Sequence, residues 1–242
     1  MVTGSEFLLG YVPGVVPTKW LRMWVERLPE VRLTLVAVSA QDAAEAVRRR
    51  EADAVLLRTF VGGEDLHTIP LYTETTVVVM QKEHVLAAAD ELSAEDLAET
   101  TVLHPLDDTL GWERPPGLAG WDRPESTEDA IRFAAAGVGV LVVPQSLARL
   151  HHRRDLTYRP LVGAPESSVG LSWLREGGPE LIEELIGIVR GRTANSTRGR
   201  QQEAPAKQAP VKKKQPAATQ KQAPRKPQQQ RKPVTKGRKP RR

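Results

Sequence analysis

From residue 7 to residue 189 the chain alternates short apolar runs with stretches of helical spacing. Residues 7–12 form the first run and 17–28 the first helical stretch. There Trp20, Leu21, Trp24, Val25 and Leu28 fall at i, i+1, i+4, i+5 and i+8 and make one apolar stripe. Pro17 suits a first helical turn, and Pro29 ends the element. Residues 31–38 read as a strand, Ser39-Ala-Gln-Asp42 as the cap of a helix running through Arg50, and Ala54-Val-Leu-Leu57 as a buried strand. The same grammar predicts a strand at 76–80 and a short helix begun by Ser93 and Asp96. A helix then runs from the Ser126-Thr-Glu-Asp129 cap through Ala136 to the stop at Gly137. An apolar strand at 138–143 closed by Pro144, strands at 158–161 and 169–174, and a helix at 179–189 complete the series. Strands apolar on both faces, alternating with helices, predict an α/β fold with mostly parallel sheets.

The pattern stops at residue 193. The remaining segment, 193–242, has no aromatic residue, and Val211 and Val234 are its only sizeable apolar side chains. Lys, Arg, Gln, Pro and Ala dominate it, with Gln-Ala-Pro at 208–210 and 222–224 and Arg-Lys-Pro at 225–227, 231–233 and 238–240. Such a composition cannot offset the entropy of ordering, so a disordered tail is expected. Charge divides at the same place. The tail holds 16 of the 35 Lys/Arg and one of the 30 acids, Glu203, which leaves 19 basic and 29 acidic residues in 1–192, a net of −10. An acidic body repels polyanions, so any nucleic-acid affinity is expected in the tail.

There is no cysteine, which excludes disulfides and thiolate metal sites. The polar N-terminus does not read as a secretory signal, and no apolar run approaches the roughly 20 residues of a membrane span. The expected location is cytoplasmic or at the nucleoid, without membrane contact. The sequence holds no Gly-x-Ser-x-Gly, no phosphate-binding Gly-Lys-Ser/Thr loop and no His-x-x-x-His pair, so a non-enzyme without cofactor or metal is expected.

Several segments resemble, in order, the effector-binding (substrate-binding) domain of LysR-type transcriptional regulators. They are Gly10, Pro17, the Leu21/Trp24/Leu28 stripe with Leu-Pro-Glu-Val31, Ala-Asp-Ala-Val-Leu-Leu57, Ile69-Pro-Leu71, and 126–144 with Ala-Ala-Gly-Val-Gly-Val140 inside. The resemblance covers roughly 7–190. It implies a two-lobed fold of the periplasmic-binding-protein type 2 kind over 1–192, with a small effector in the crevice between lobes. Lobe I would take about 1–80 and 156–192, lobe II about 81–155, and Ile69-Pro-Leu71 would be a turn before the crossover strand. The family's winged helix-turn-helix has no counterpart in the six residues ahead of the first strand, so DNA reading by that module is expected to be absent.

Candidate ligand contacts follow. The loop Val12-Pro-Gly-Val15-Val16-Pro-Thr18 leads into the first helix, where free amides and the Thr18 hydroxyl would face a ligand; an ordinary turn with Thr18 in water is the competing reading. Arg58 and Thr59 follow a buried strand, and Arg58 would hold a carboxylate in the crevice or else lie on the surface. Ser126 and Thr127 would close the crevice from lobe II and are helix-capping residues in any case. His104 ends a strand and is either a ligand contact or structural. Asp107, Asp108, Trp112 and Trp121 mark a long loop that is either a lid over a flat ligand or simply pinned to the body. His151-His152-Arg153-Arg154 reads as a solvated helix end.

In the tail, Lys212, Lys213, Lys214, Arg225, Lys226, Arg231, Lys232, Lys236, Arg238, Lys239, Arg241 and Arg242 would bind phosphates with strong salt dependence and little sequence preference. Lys236-Gly-Arg-Lys-Pro240 resembles an AT-hook whose Gly-Arg-Pro centre is interrupted by Lys239. A solubilising extension is the alternative. The leading expectation is a ligand-sensing regulator held on nucleic acid by its tail. The alternative is an interaction module with a degenerate crevice, a homodimer or a partner of full-length regulators, with Trp20 or Trp24 at the contact.

Overall fold

The computed structural model describes residues 6–58 and 64–192, so the expectations placed on Thr59 and on the basic tail lie outside the described residues. Two five-stranded sheets make up the body. The first contains β1 (Glu6–Tyr11), β2 (Arg32–Ala37), β3 (Ala54–Arg58), β4 (Leu66–Glu74) and β10 (Ser167–Leu174), in the order β2-β1-β3-β10-β4. The second contains β5 (Thr76–Gln81), β6 (Thr101–Leu103), β7 (Leu118–Ala119), β8 (Val140–Pro144) and β9 (Leu156–Pro160), in the order β7-β6-β8-β5-β9. Helices α1 (Thr18–Arg27), α2 (Ala43–Arg48) and α5 (Ile182–Val189) belong to the first lobe; α3 (Thr127–Ala135) and α4 (Gln145–Leu150) belong to the second. No described helix is long and apolar enough to cross a membrane.

The first core forms where the α1 stripe meets the sheet. Trp24 is fully buried, its ring centroid 5.1 Å from that of Phe7, and its indole Nε1 donates to the Val31 carbonyl at 2.9 Å. An indole so placed has both its apolar body and its polar N–H satisfied. Trp24 therefore belongs to the core and is not available as a contact for a partner. The α3 start follows the sequence closely: the Ser126 hydroxyl accepts from the Asp129 amide at 3.1 Å, and Gly137 sits at φ +78 beyond the last turn.

Four expectations are corrected. Each sheet is mixed rather than mostly parallel, because β5 runs antiparallel to β8 and β9, and β10 runs antiparallel to β3 and β4. The strands β5 and β9 belong to the second sheet, so the chain changes lobes at Thr75 and again within 161–166, not at about 80 and 156. Ile69-Pro70-Leu71 is not a turn but lies inside β4. Proline is tolerated there because β4 is a sheet edge, and the register shifts between Val169 and Gly170, opposite Pro70. Helix α2 ends at Arg48, short of Arg50, whose φ of +60 breaks the helix. At its start, the Asp42 amide donates to Ser39 Oγ at 3.0 Å and the Ser39 hydroxyl to the Asp42 carboxylate at 2.7 Å, the same pair of bonds that Ser126 and Asp129 make ahead of α3.

The two crossings are tied side by side. The Thr76 hydroxyl donates to the Pro165 carbonyl at 2.6 Å, the Leu161 amide to the Thr76 carbonyl at 3.0 Å, and the Gln145 amide to the Thr75 carbonyl at 2.9 Å. They form the floor from which the two lobes rise.

Candidate functional site

Above that floor is a cleft of about 330 Å³ walled by both lobes. Lobe I supplies the entry and first turns of α2, including Ala43, Ala44 and Glu45, together with Leu57 and Arg58 from the end of β3; lobe II supplies Asp107, Asp108 and Thr109. A volume of this size accommodates a small metabolite.

Arg58 closes the bottom. It is 2% exposed, and its Nε donates to Glu74 Oε2 at 2.7 Å, its Nη2 to Ser146 Oγ at 2.7 Å, and its Nη1 to the Pro13 carbonyl. Glu74 ends the first lobe's edge strand and Ser146 begins a second-lobe helix, so one guanidinium joins both lobes at the crossing. Gly14, at φ +83, passes so close that a Cβ there would stand 2.7 Å from Arg58 Nη2 and 2.9 Å from Ser146 Oγ. Nearby, Tyr72 is 40% exposed, and the burial of the rest of it first, then the Glu74 charge, pushes its hydroxyl above the usual phenol range.

The outer wall carries a second guanidinium. Arg48 meets Asp65 through two bonds, at 2.8 and 3.1 Å, and stands 3.6 Å from Glu45. The hydrogen bond from Arg48 holds the Asp65 carboxyl below the usual range, and the same bond raises Arg48. On the opposite wall, Thr127 is buried at the start of α3 and its hydroxyl donates to Asp107 Oδ1 at 2.9 Å. Asp108 accepts from the amides of Leu110 and Trp112 at 3.1 and 3.3 Å. The Thr109 hydroxyl oxygen is buried and has no hydrogen-bond partner among the described residues.

Residues 12–194 match the family model for the LysR substrate binding domain. The chain belongs to that family. Among curated relatives it is 24% identical over 207 residues to the Hca operon transcriptional activator HcaR of Escherichia coli K12, covering 79% of this chain and 69% of HcaR. It is 24% identical over 156 residues to the transcriptional regulator MetR of the same strain, covering 60% of this chain and about half (49%) of MetR. The solved oxidized form of OxyR superposes with a TM-score of 0.64 at 22% identity, over 78% of this chain and 96% of that one. The BenM effector binding domain with its effector benzoate does so with 0.64 at 18%, over 78% and 95%. The chain thus shares the type 2 two-lobed fold of the solved OxyR and BenM domains.

Within this LysR fold the sequence candidates separate. Arg58 lines the cleft, but its donors are committed to Glu74, Pro13 and Ser146. Val15 is buried in the first core, Val16 is 72% exposed and Thr18 is exposed, and none of the three lines the cleft. Their loop gives Arg58 the Pro13 carbonyl. Ser126 bonds both the amide and the carboxylate of Asp129, and Thr127 reaches the cleft only through Asp107. His104 is partly buried, with Nε2 3.7 Å from Asp108 Oδ2. Arg123 pins the long loop by donating to the His104 and Pro105 carbonyls at 2.9 and 2.6 Å. Trp112 packs on the core, whereas Trp121 is wholly exposed. The dent at His151–Arg153 holds only about 10 Å³. No group of three potential metal ligands occurs among the described residues. The α2 entry was missed as a wall; its signal was the small side chains Ala40, Ala43 and Ala44, which leave room beside a helix start.

Proposed function

We propose that this chain is the effector-sensing part of a transcriptional regulator. It holds a small metabolite in the interlobe cleft, performs no chemistry on it, and contacts nucleic acid through its basic tail without reading sequence. The observation that carries the reading is the 330 Å³ cleft walled by both lobes, since a ligand touching both walls changes the equilibrium between lobe arrangements by its differential affinity. The matched relatives HcaR and MetR are transcriptional regulators, and the solved BenM domain holds benzoate as its effector. A cytoplasmic location and a homodimeric state belong to the same proposal; sizing of the full chain checks the second.

The test has two arms. Thermal melts of the full chain against a metabolite library should find a compound whose stabilisation saturates with concentration, and a library without any such compound would refute the sensing arm. Duplex DNA titrated at several salt concentrations should bind with a steep log–log slope. Changing Lys212, Lys213 and Lys214 to Gln should flatten that slope by roughly 2 to 3. An unchanged slope rules out those lysines as phosphate contacts.

A further inference from the structure

The body's excess of acids is reversed over one stretch of the second lobe. Residues 145–160 hold four arginines and two histidines against a single acid, Asp155. They run from α4 through the turn after it and along β9. Arg149, His152, Arg153 and Arg154 are all exposed. Lys82, whose amide donates to the Asp155 carbonyl at 3.1 Å, adjoins the stretch with Glu83 next to it, and those two charges cancel.

Cations at a helix end commonly serve its last carbonyls. Here backbone amides already do so, from His151 to the Leu147 carbonyl and from His152 to that of Arg149. The side chains are left over. Arg153 meets Asp155 with 46% and 47% of the two side chains exposed, and Arg149 reaches only the neutral Tyr158 hydroxyl, at 3.4 Å. Arg154, His151 and His152 make no side-chain hydrogen bond or ion pair among the described residues. Elsewhere the protein engages its own arginines, Arg48, Arg58 and Arg132 through carboxylates and Arg50, Arg123 and Arg159 through carbonyls. The leftover donors also line a hollow of about 10 Å³, bounded by His151, His152, Arg153, Thr157 and Tyr158. That is too small for a metabolite and has room for about one oxygen atom.

We propose that this patch is a second nucleic-acid contact, in which Arg149, His152, Arg153 and Arg154 meet backbone phosphates and one phosphate oxygen enters the hollow. The inference rests on the nucleic-acid part of the reading above and extends it from the tail to the folded body. Phosphate oxygens supply the acceptors that these donors lack. At about 0.15 M salt charges are felt over roughly 8 Å, so the local sign of the surface governs, not the −10 of the whole body. A lipid surface fits less well, because interfacial attachment needs a broad apolar face and this stretch exposes one large apolar side chain, Leu150.

Duplex DNA titrated into the full chain between about 50 and 200 mM salt tests the inference. Replacing Arg149, Arg153 and Arg154 together by Gln should flatten the log–log slope by roughly 2 to 3. Replacing Lys19, Arg22 and Arg175, exposed cations elsewhere on the body, removes the same charge and should leave the slope unchanged. Asp155→Asn frees Arg153 and should tighten DNA binding by about two- to fivefold. If both triple variants flatten the slope equally, or the patch variant not at all, the inference fails. It fails too if the patch variant keeps its DNA slope but no longer sediments with phosphatidylglycerol vesicles, which would assign the patch to lipid. A full chain that binds no DNA at any salt removes the nucleic-acid reading as a whole, whereas DNA binding with an unchanged slope in the patch variant removes only the patch.

Discussion

Arg58 and Arg48 meet their carboxylates at nearly the same distance, 2.7 Å to Glu74 and 2.8 Å to Asp65, and both line the same cleft. Their surroundings are opposite. The Arg58 and Glu74 side chains are 0% and 8% exposed, those of Arg48 and Asp65 35% and 47%. Buried, the first pair cannot lose a member without stranding the other in a low-dielectric place; the second is screened by water and salt. Contact distance therefore says little about what each pair does. The buried pair holds the lobes at their crossing, and the exposed pair trims the rim.

The sharpest break of this comparison is Glu74→Ala. Stranding a buried charge typically costs 3–5 kcal/mol, and because Arg58 keeps Ser146 and the Pro13 carbonyl, the lower end applies, about 3 kcal/mol. In a domain of this size that is a fall in melting temperature of roughly 10 °C. Gly14→Ala comes next. It forces a left-handed backbone on a residue with a side chain and sets its Cβ against Arg58 and Ser146, a cost of about 2 kcal/mol read by denaturant melts. Ser146→Ala leaves one buried N–H of Arg58 without its acceptor and should cost about 1 kcal/mol. Because Ser146 is the side chain through which the second lobe holds Arg58, amide exchange at residues 145–147 should accelerate beyond what that global loss explains. If exchange rises only in step with global stability, the contact is packing and not a tie between lobes.

The same contrast shows what was legible in the sequence. Elements whose information is local could be read from it: the α1 stripe that buries Trp24, the Ser126 cap, the all-apolar β8 and the Gly137 stop. Edge strand β4 could not, because Leu-His-Thr-Ile-Pro-Leu-Tyr-Thr-Glu alternates irregularly around a proline, and only its neighbour β10 makes it a strand. The site failed in the same way. Arg58 stood out as a charge after a buried strand, but its three partners come from 16, 45 and 88 positions away. The sequence left the residue open between crevice and surface; its burial and the commitment of its donors were properties of the tertiary structure. Asp107 and Asp108 were visible as a polar loop, whereas the partnerless Thr109 beside them gives no sequence signal at all.

The smallest effect is expected at the rim, where Asp65→Asn removes the exposed pair. Its direction with pH follows from the shift. The Asp65 carboxyl titrates below its usual value because Arg48 donates to it. Whatever stability it adds is therefore present above the unfolded value near ~3.9 and disappears as pH falls through the lower folded value. Melts of Asp65→Asn and the parent chain should differ slightly at neutral pH and low salt, then converge both in strong acid and in 1 M salt, where charges are screened within about 3 Å. Glu74→Ala should stay destabilised in high salt, because solvent ions do not reach a buried guanidinium. Should Asp65→Asn instead fall as far as Glu74→Ala and ignore salt, burial is not what separates the two pairs, and the rim would have to be treated as part of the tie between lobes.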